Sequence, residues 1–183
     1  LELIHDDILN FKLKIENYKL VANIPYNITG AIIRKFLETD HQPESMVLLI
    51  QKEVAERIVA RDKKESTLSI SVKTYGTPRY VETVKAGSFA PAPRVDSAII
   101  IIENISKDFF QNISEKEFFE TVRAGFKSKR KKLFSNLANL FPREMVRKAF
   151  QKLNLDENIR AEDVSIDTWR KLSFFLLKDS ELE

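Results

Sequence analysis

The tetrapeptide Asn23-Ile24-Pro25-Tyr26 stands between an apolar run that fits a strand and an amphipathic run that fits a helix. Tyr18 to Ala22 is short and ends apolar, as a buried strand would. Thr29 to Leu37 places Ile32, Ile33, Phe36 and Leu37 on one helical face. Between them, the residue before a proline is kept out of the helical region, and proline locks its own φ. Ile24 and Pro25 therefore make a stiff, extended corner. Strand, rigid corner and helix in that order begin an α/β unit. The corner presents the Asn23 amide, the Ile24 carbonyl and the Tyr26 ring before any ligand arrives.

Those three groups suit a flat base with an exocyclic amine. An adenine amine is a poor nucleophile because its lone pair is delocalised into the ring. Two acceptors aimed at its N–H bonds favour a more tetrahedral nitrogen and stabilise the positive charge that develops during attack. This is preorganised electrostatic help with the sign of an oxyanion hole reversed. Asn23 Oδ1 and the Ile24 carbonyl are such acceptors, and Tyr26 can stack on the base. The same residues also make an ordinary strand-to-loop turn with a half-buried Tyr.

The chain of 183 residues has room for one domain and a small appendage. At 43% hydrophobic and 31% charged it has an ordinary globular composition. Its longest apolar runs, of which Ala98 to Ile102 is one, are far too short to span a bilayer. With no cysteine, disulfides and thiolate metal sites are excluded. His5 and His41 are isolated and read as surface residues, so no metal site is expected.

Net charge is +3, and its distribution says more than its size. From Arg123 to Lys132 there are six basic residues and no acid: Arg123, Lys127, Lys129, Arg130, Lys131 and Lys132. Such a cluster repels itself, and a phosphate backbone would relieve it. A solvated helix face is the other use of such a run. Phe126, Leu133 and Phe134, interleaved with the charges, anchor the segment to a core.

The first part of the chain alternates strands and helices. Leu1 to Ile4, Leu20 to Ala22 and Met46 to Gln51 read as strands, and Lys52 to Arg61 as a helix. Leu68-Ser69-Ile70-Ser71-Val72 alternates like a strand. Tyr80 to Val84 and Ser97 to Glu103 read as an antiparallel edge pair. The character changes after Asn104, with a linker near Asn104 to Asn112. Ser114-Glu115-Lys116-Glu117 is a capping box for a helix running towards Lys132. Pro142 suits the first turn of a helix over Arg143 to Leu153. Ser165 caps a last helix whose apolar stripe is Trp169, Leu172, Phe175 and Leu176. Phe89, in the stiffened segment Phe89-Ala90-Pro91-Ala92-Pro93, stands either as a second stacking face or as a loop Phe folded back into the core.

Val21 to Thr29 resembles the catalytic motif of rRNA adenine N6-dimethyltransferases, of both the KsgA and the erythromycin-resistance (Erm) type. Leu49 to Arg57, Gly87 to Ala98, Val122 to Phe126 with Arg130-Lys131, and Arg160-Ala161-Glu162 are similar to segments of the KsgA type. Their order and spacing agree over nearly the whole chain. The resemblance implies an α/β fold: the C-terminal portion of a Rossmann-like S-adenosylmethionine methyltransferase sheet in residues 1–104, then a small all-helical rRNA-binding domain in 105–183. It implies a helix, not a strand, at Leu68 to Val72. It assigns catalysis to Asn23, Ile24, Pro25 and Tyr26, base stacking to Tyr26 and Phe89, and cofactor contacts to Asp7 and Asn23. Without it, Asp6-Asp7 reads equally as a turn with solvated carboxylates. It implies rRNA contact by Arg123, Lys127, Lys129, Arg130, Lys131 and Lys132.

The implied activity is N6,N6-dimethylation of two adjacent adenosines near the 3′ end of small-subunit rRNA, in the cytoplasm, with a 30S precursor as partner and no membrane or metal. The family also begins with a Gly-rich turn for S-adenosylmethionine. The four glycines here, Gly30, Gly76, Gly87 and Gly125, form no G-x-G. The chain is thus expected to be truncated, with an incomplete cofactor site, and inactive alone. Leu182-Glu183 reads as an added tail. A sheet edge left open invites a dimer, so residues 1–10 are expected either displaced from a strand or paired with a second copy. A non-catalytic ribosome-assembly module and an Erm-type enzyme acting on large-subunit rRNA are the alternatives.

Overall fold

A computed structural model describes residues 1–178; Leu182-Glu183 lies outside the described residues. The chain divides into two compact units. The first holds Leu1–Val59 and Tyr75–Ser106, the second Ala60–Thr74 and the chain from Lys107 onward. The cut at 104 therefore needs an addition, because residues 60–74 belong to the helical unit.

The first unit is a four-stranded mixed sheet of order β1-β2-β4-β3. Its strands are β1 (Lys19–Asn23), β2 (Ser45–Gln51), β3 (Thr77–Val84) and β4 (Ser97–Glu103). β1 runs parallel to β2 through α1 (Thr29–Glu38), as a parallel pair requires a crossover. β4 lies antiparallel between β2 and β3. The inner strands alternate in burial: Met46, Leu48 and Ile50 on β2 and Ala98, Ile100 and Ile102 on β4 are fully buried. Ile32, Ile33, Phe36 and Leu37 of α1 are buried, as their spacing predicts. α2 (Lys52–Val59) packs on β3 and β4 through Ala55 and Ile58.

Two expectations fail here. β1 has the open edge expected of Leu20 to Ala22, pairing on one side only, but it is not the buried strand that its apolar run suggested, since Val21 is 75% exposed. The strand expected at Leu1 to Ile4 is not formed, and Leu1, Leu3 and Ile4 are exposed. Residues 1–10 make no strand pairing; Asp7 to Asn10 forms a turn instead.

The second unit is helical: α3 (Thr67–Lys73), α4 (Glu115–Gly125), α5 (Leu133–Leu137), α6 (Arg143–Lys152) and α7 (Ile166–Lys178). The alternating Ser69-Ile70-Ser71-Val72 run is thus helical, as the resemblance implied. Its Ser66 and Ser69 form a reciprocal capping box, and Ile70 joins the helical core. Lys64 bridges Glu162 and Asp163 at 3.2 and 2.6 Å, and the Glu65 N–H donates to the Glu162 carbonyl. The Arg160-Ala161-Glu162 segment is therefore a dock for the 60–74 stretch. At Ser114 only half of the expected box exists: its Oγ accepts from the Glu117 N–H. Pro142 precedes α6 instead of occupying its first turn.

The helical core centres on Trp169, Phe118, Leu133, Leu137 and Leu172, all fully buried. Phe126 stacks on Trp169 at 5.7 Å between ring centroids. Gly125 leaves the room for that ring, since a Cβ there would lie 2.3 Å from Trp169 Cη2 and 2.8 Å from Leu133 Cδ1. No described helix is long and apolar enough to cross a membrane.

Gly125→Ala is expected to destabilise the protein by about 1–3 kcal/mol, because overpacking against a rigid buried ring outweighs the gain in helix propensity. Urea titration followed by Trp169 fluorescence measures it; an unchanged midpoint would show that the ring can move aside.

Candidate functional site

The site lies in the first unit, where the ends of all four strands are set by pairing. Asn23, the last residue of β1, is aligned with Leu49 of β2. The Ile24 N–H continues the ladder, donating to the Leu49 carbonyl at 3.2 Å, and the Ile24 side chain is 2% exposed. Those two anchors hold the corner, and Pro25 carries it into a single 3₁₀ turn, Tyr26–Ile28. The Asn23 side chain is exposed and bonds to no described residue, and the Ile24 carbonyl accepts no hydrogen bond from one. Two acceptors are thus available at a rigid point of the chain.

Tyr26 is half-buried, and its hydroxyl pairs with Ser97 Oγ at 2.7 Å. Ser97 is 1% exposed and begins β4, paired with Gln51 on one side and Val84 on the other. Phe89 lies on the connection between β3 and β4 and is half-buried. The connection is closed by Asp96, whose carboxylate accepts from the Ala86 N–H and the Lys85 ammonium, each at 3.0 Å. The Ala90–Pro91 peptide within it is cis.

Asp7 lies in the irregular segment before β1. Its Oδ1 accepts from the Leu9 N–H and its Oδ2 from Asn10 Nδ2, both at 2.9 Å. One donor per oxygen leaves each with a further lone pair. Lys35 of α1 fastens the same segment, donating to the carbonyls of Leu9, at 2.9 Å, and Phe11. Asn23 and Asp7 therefore fit a cofactor that offers donors, although both are exposed and neither is a complete pocket. Among the described residues no three His, Asp or Glu side chains gather to hold a metal.

The basic run is not on a helix. α4 stops at Gly125, and residues 126–132 form a loop ahead of α5. Continuing α4 would stack six cations at neighbouring helical positions, which is unfavourable. A buried amide supplies the alternative: Asn136 Nδ2 donates to the Gly125 carbonyl at 2.6 Å and the Ser128 carbonyl at 3.1 Å. Arg123, on the last turn of α4, and Lys127, Lys129, Arg130, Lys131 and Lys132 are all exposed. None of the six makes an ion pair among the described residues.

The model for "Ribosomal RNA adenine dimethylase" matches residues 1–178. The chain belongs to that family. Among curated relatives, a "Ribosomal RNA small subunit methyltransferase A" from Dehalococcoides mccartyi (strain CBDB1) is 42% identical over 179 residues, and one from Fusobacterium nucleatum 38% over 176. These alignments cover 93% of this chain, and 61% and 67% of the two relatives. The chain thus spans about three-fifths of the length of the Dehalococcoides protein. Of solved structures, a dimethyladenosine transferase from Plasmodium falciparum shares 25% identity at a TM-score of 0.82, covering 98% of this chain and 72% of that one. The 23S rRNA methyltransferase ErmE, at 24% identity and TM-score 0.77 over 96% and 71%, shares the fold. The fold class is therefore the Rossmann-like methyltransferase one, and the relatives named are of the KsgA type.

Three residues of this dimethylase-family chain escaped the sequence reading. Asp96 and Ser97 lie in the Gly87 to Ala98 segment, where nothing local marks them as partners of Ala86, Lys85 or Tyr26. Asn136 carried a signal, a polar side chain between Leu133 and Leu137 on an apolar helical face.

The Ala86 N–H and, after it, the Lys85 ammonium hold the Asp96 carboxyl below its usual range. A depressed folded-state pKa gives stability that is present above the unfolded value and lost as pH falls through the folded one. The Ala86 amide resonance should therefore titrate with a midpoint below the ordinary Asp value of about 3.9. NMR across acid pH checks this, and a midpoint at or above the ordinary value would contradict the contact.

Proposed function

We propose that this chain carries the base-binding and RNA-gripping parts of a KsgA-type enzyme, which dimethylates two adjacent adenosines near the 3′ end of small-subunit rRNA in the cytoplasm. The observation that carries the proposal is the pair of unpartnered acceptors at the rigid corner, Asn23 Oδ1 and the Ile24 carbonyl, next to an anchored aromatic ring.

The target base is splayed from its loop and stacked on Tyr26, with Phe89 as the second face. Stacking of this kind contributes about 1–3 kcal/mol per base. Asn23 and Ile24 accept the two N–H bonds of the amine and bear the positive charge that grows on nitrogen. S-adenosylmethionine, when bound, supplies the electrophilic methyl group; Asp7 and Asn23 are the residues of this chain that would hold it. No side chain need act as a strong base, because the help is positional and electrostatic. The exposed cations of 123–132 take the RNA backbone.

Asn23→Ala, in a full-length enzyme containing this segment, should lower the single-turnover rate by ~10²–10³ while RNA affinity changes little. An unchanged rate would remove Asn23 from the mechanism. Replacing Lys129, Arg130 and Lys131 by Ala should weaken RNA binding and flatten its log–log salt dependence by roughly 0.7–0.9 per lost phosphate contact. If titrations across salt give the same slope, the loop serves solubility only.

A further inference from the structure

Both arms of the base clamp converge on one dipeptide at the start of β4. The Ser97 hydroxyl holds the Tyr26 hydroxyl at 2.7 Å from a position 1% exposed. The neighbouring Asp96 carboxylate holds the Ala86 N–H and the Lys85 ammonium. Ala86 opens the short turn that leads to Phe89, and the Phe89 N–H donates back to the Ala86 carbonyl at 3.2 Å. Phe89 is thus one hydrogen bond removed from the residue that Asp96 grips. The Asp96 carbonyl accepts from the Lys52 N–H at 3.0 Å, which fixes the dipeptide to the junction of β2 and α2. Ser97 itself is locked between Gln51 and Val84 by strand pairing.

We infer that Asp96 and Ser97 are positioning residues for base recognition, Ser97 setting the Tyr26 ring and Asp96 the Phe89 loop. This rests on the base-clamp reading above. Neither residue touches the base. Each acts by fixing the direction in which an aromatic ring is offered, Ser97 from a strand held on both sides and Asp96 from the position just before it. Tyrosine at 26 offers the ring a hydroxyl handle that phenylalanine would lack, and Ser97 is its partner. An aspartate was needed at 96, and not a hydrophobe, because it must satisfy a backbone N–H and an ammonium together.

The test uses the 183-residue chain and an RNA hairpin with two adjacent adenosines in its loop, the first replaced by fluorescent 2-aminopurine. Stacking on an aromatic ring quenches that base, so quench at saturation reports stacking while the midpoint reports affinity. Ser97→Ala and Tyr26→Phe should each lower the saturating quench about two-fold, with the double variant no worse than either, because both remove one shared bond. Asp96→Ala should lower it comparably and add to Ser97→Ala, since it acts on the other arm. Ser97→Thr, which keeps a hydroxyl, should restore the quench. Midpoints of binding should move little throughout, and thermal melts identify any variant that has merely lost its fold. Full quench in folded Ser97→Ala and Asp96→Ala, with Tyr26→Ala losing it, would overturn the positioning inference alone. Full quench in Tyr26→Ala as well would overturn the base-clamp reading, and this inference with it.

Discussion

The hydrogen bond between the Tyr26 and Ser97 hydroxyls joins the first strand's loop to the start of the central strand. Without it the Tyr26 hydroxyl would lose its tie to the sheet interior, and the corner would depend on an edge strand with a neighbour on one side only and on Ile24. Edge strands are poor platforms, because half of their backbone groups face away from the sheet. Here the edge is compensated by three anchors: the Ile24 N–H on Leu49, the buried Ile24 side chain, and the Tyr26 hydroxyl on Ser97. The polar groups left over, on Asn23 and Ile24, are then the ones free to meet a ligand.

In the helical unit the corresponding constraint is close packing around Trp169. Gly125 ends α4 where any larger residue would strike the indole, and Asn136 takes up the carbonyls released as the chain leaves the helix. A buried amide with both donors satisfied costs little, while an orphaned one would cost the full desolvation penalty. The basic residues that follow are therefore held on an ordered loop rather than a free tether. A fixed loop loses less entropy on contact with a phosphate backbone.

The same economy links the 60–74 stretch to the helical unit. Lys64 meets two carboxylates, Asp163 most strongly, and its pKa is raised by them. These ion pairs are solvent-exposed and contribute little energy individually. Their role is alignment, and the buried Ile70 supplies the apolar contact that makes the alignment persist.

Much of this was legible in the residues. The Asn-Ile-Pro-Tyr corner, the α1 stripe, the β3–β4 pair and the α7 stripe follow from dihedral restriction and periodicity, which act over a few neighbouring residues. Boundaries and partners did not follow. Alternation at Leu68 to Val72 suggested a strand, but a Ser66–Ser69 cap and the place of Ile70 in a helical core decided for helix. The run to Lys132 suggested a long helix, and Asn136, several residues away, ended it. Leu1 to Ile4 has the composition of a strand, yet no neighbouring strand pairs with it. Asp96 and Ser97 look like any strand entry until Ala86, Lys85 and Tyr26 are brought to them, the last from 71 residues away. Local sterics and hydrophobic period are written in consecutive residues, whereas a hydrogen-bond partner exists only once the chain has folded to supply it.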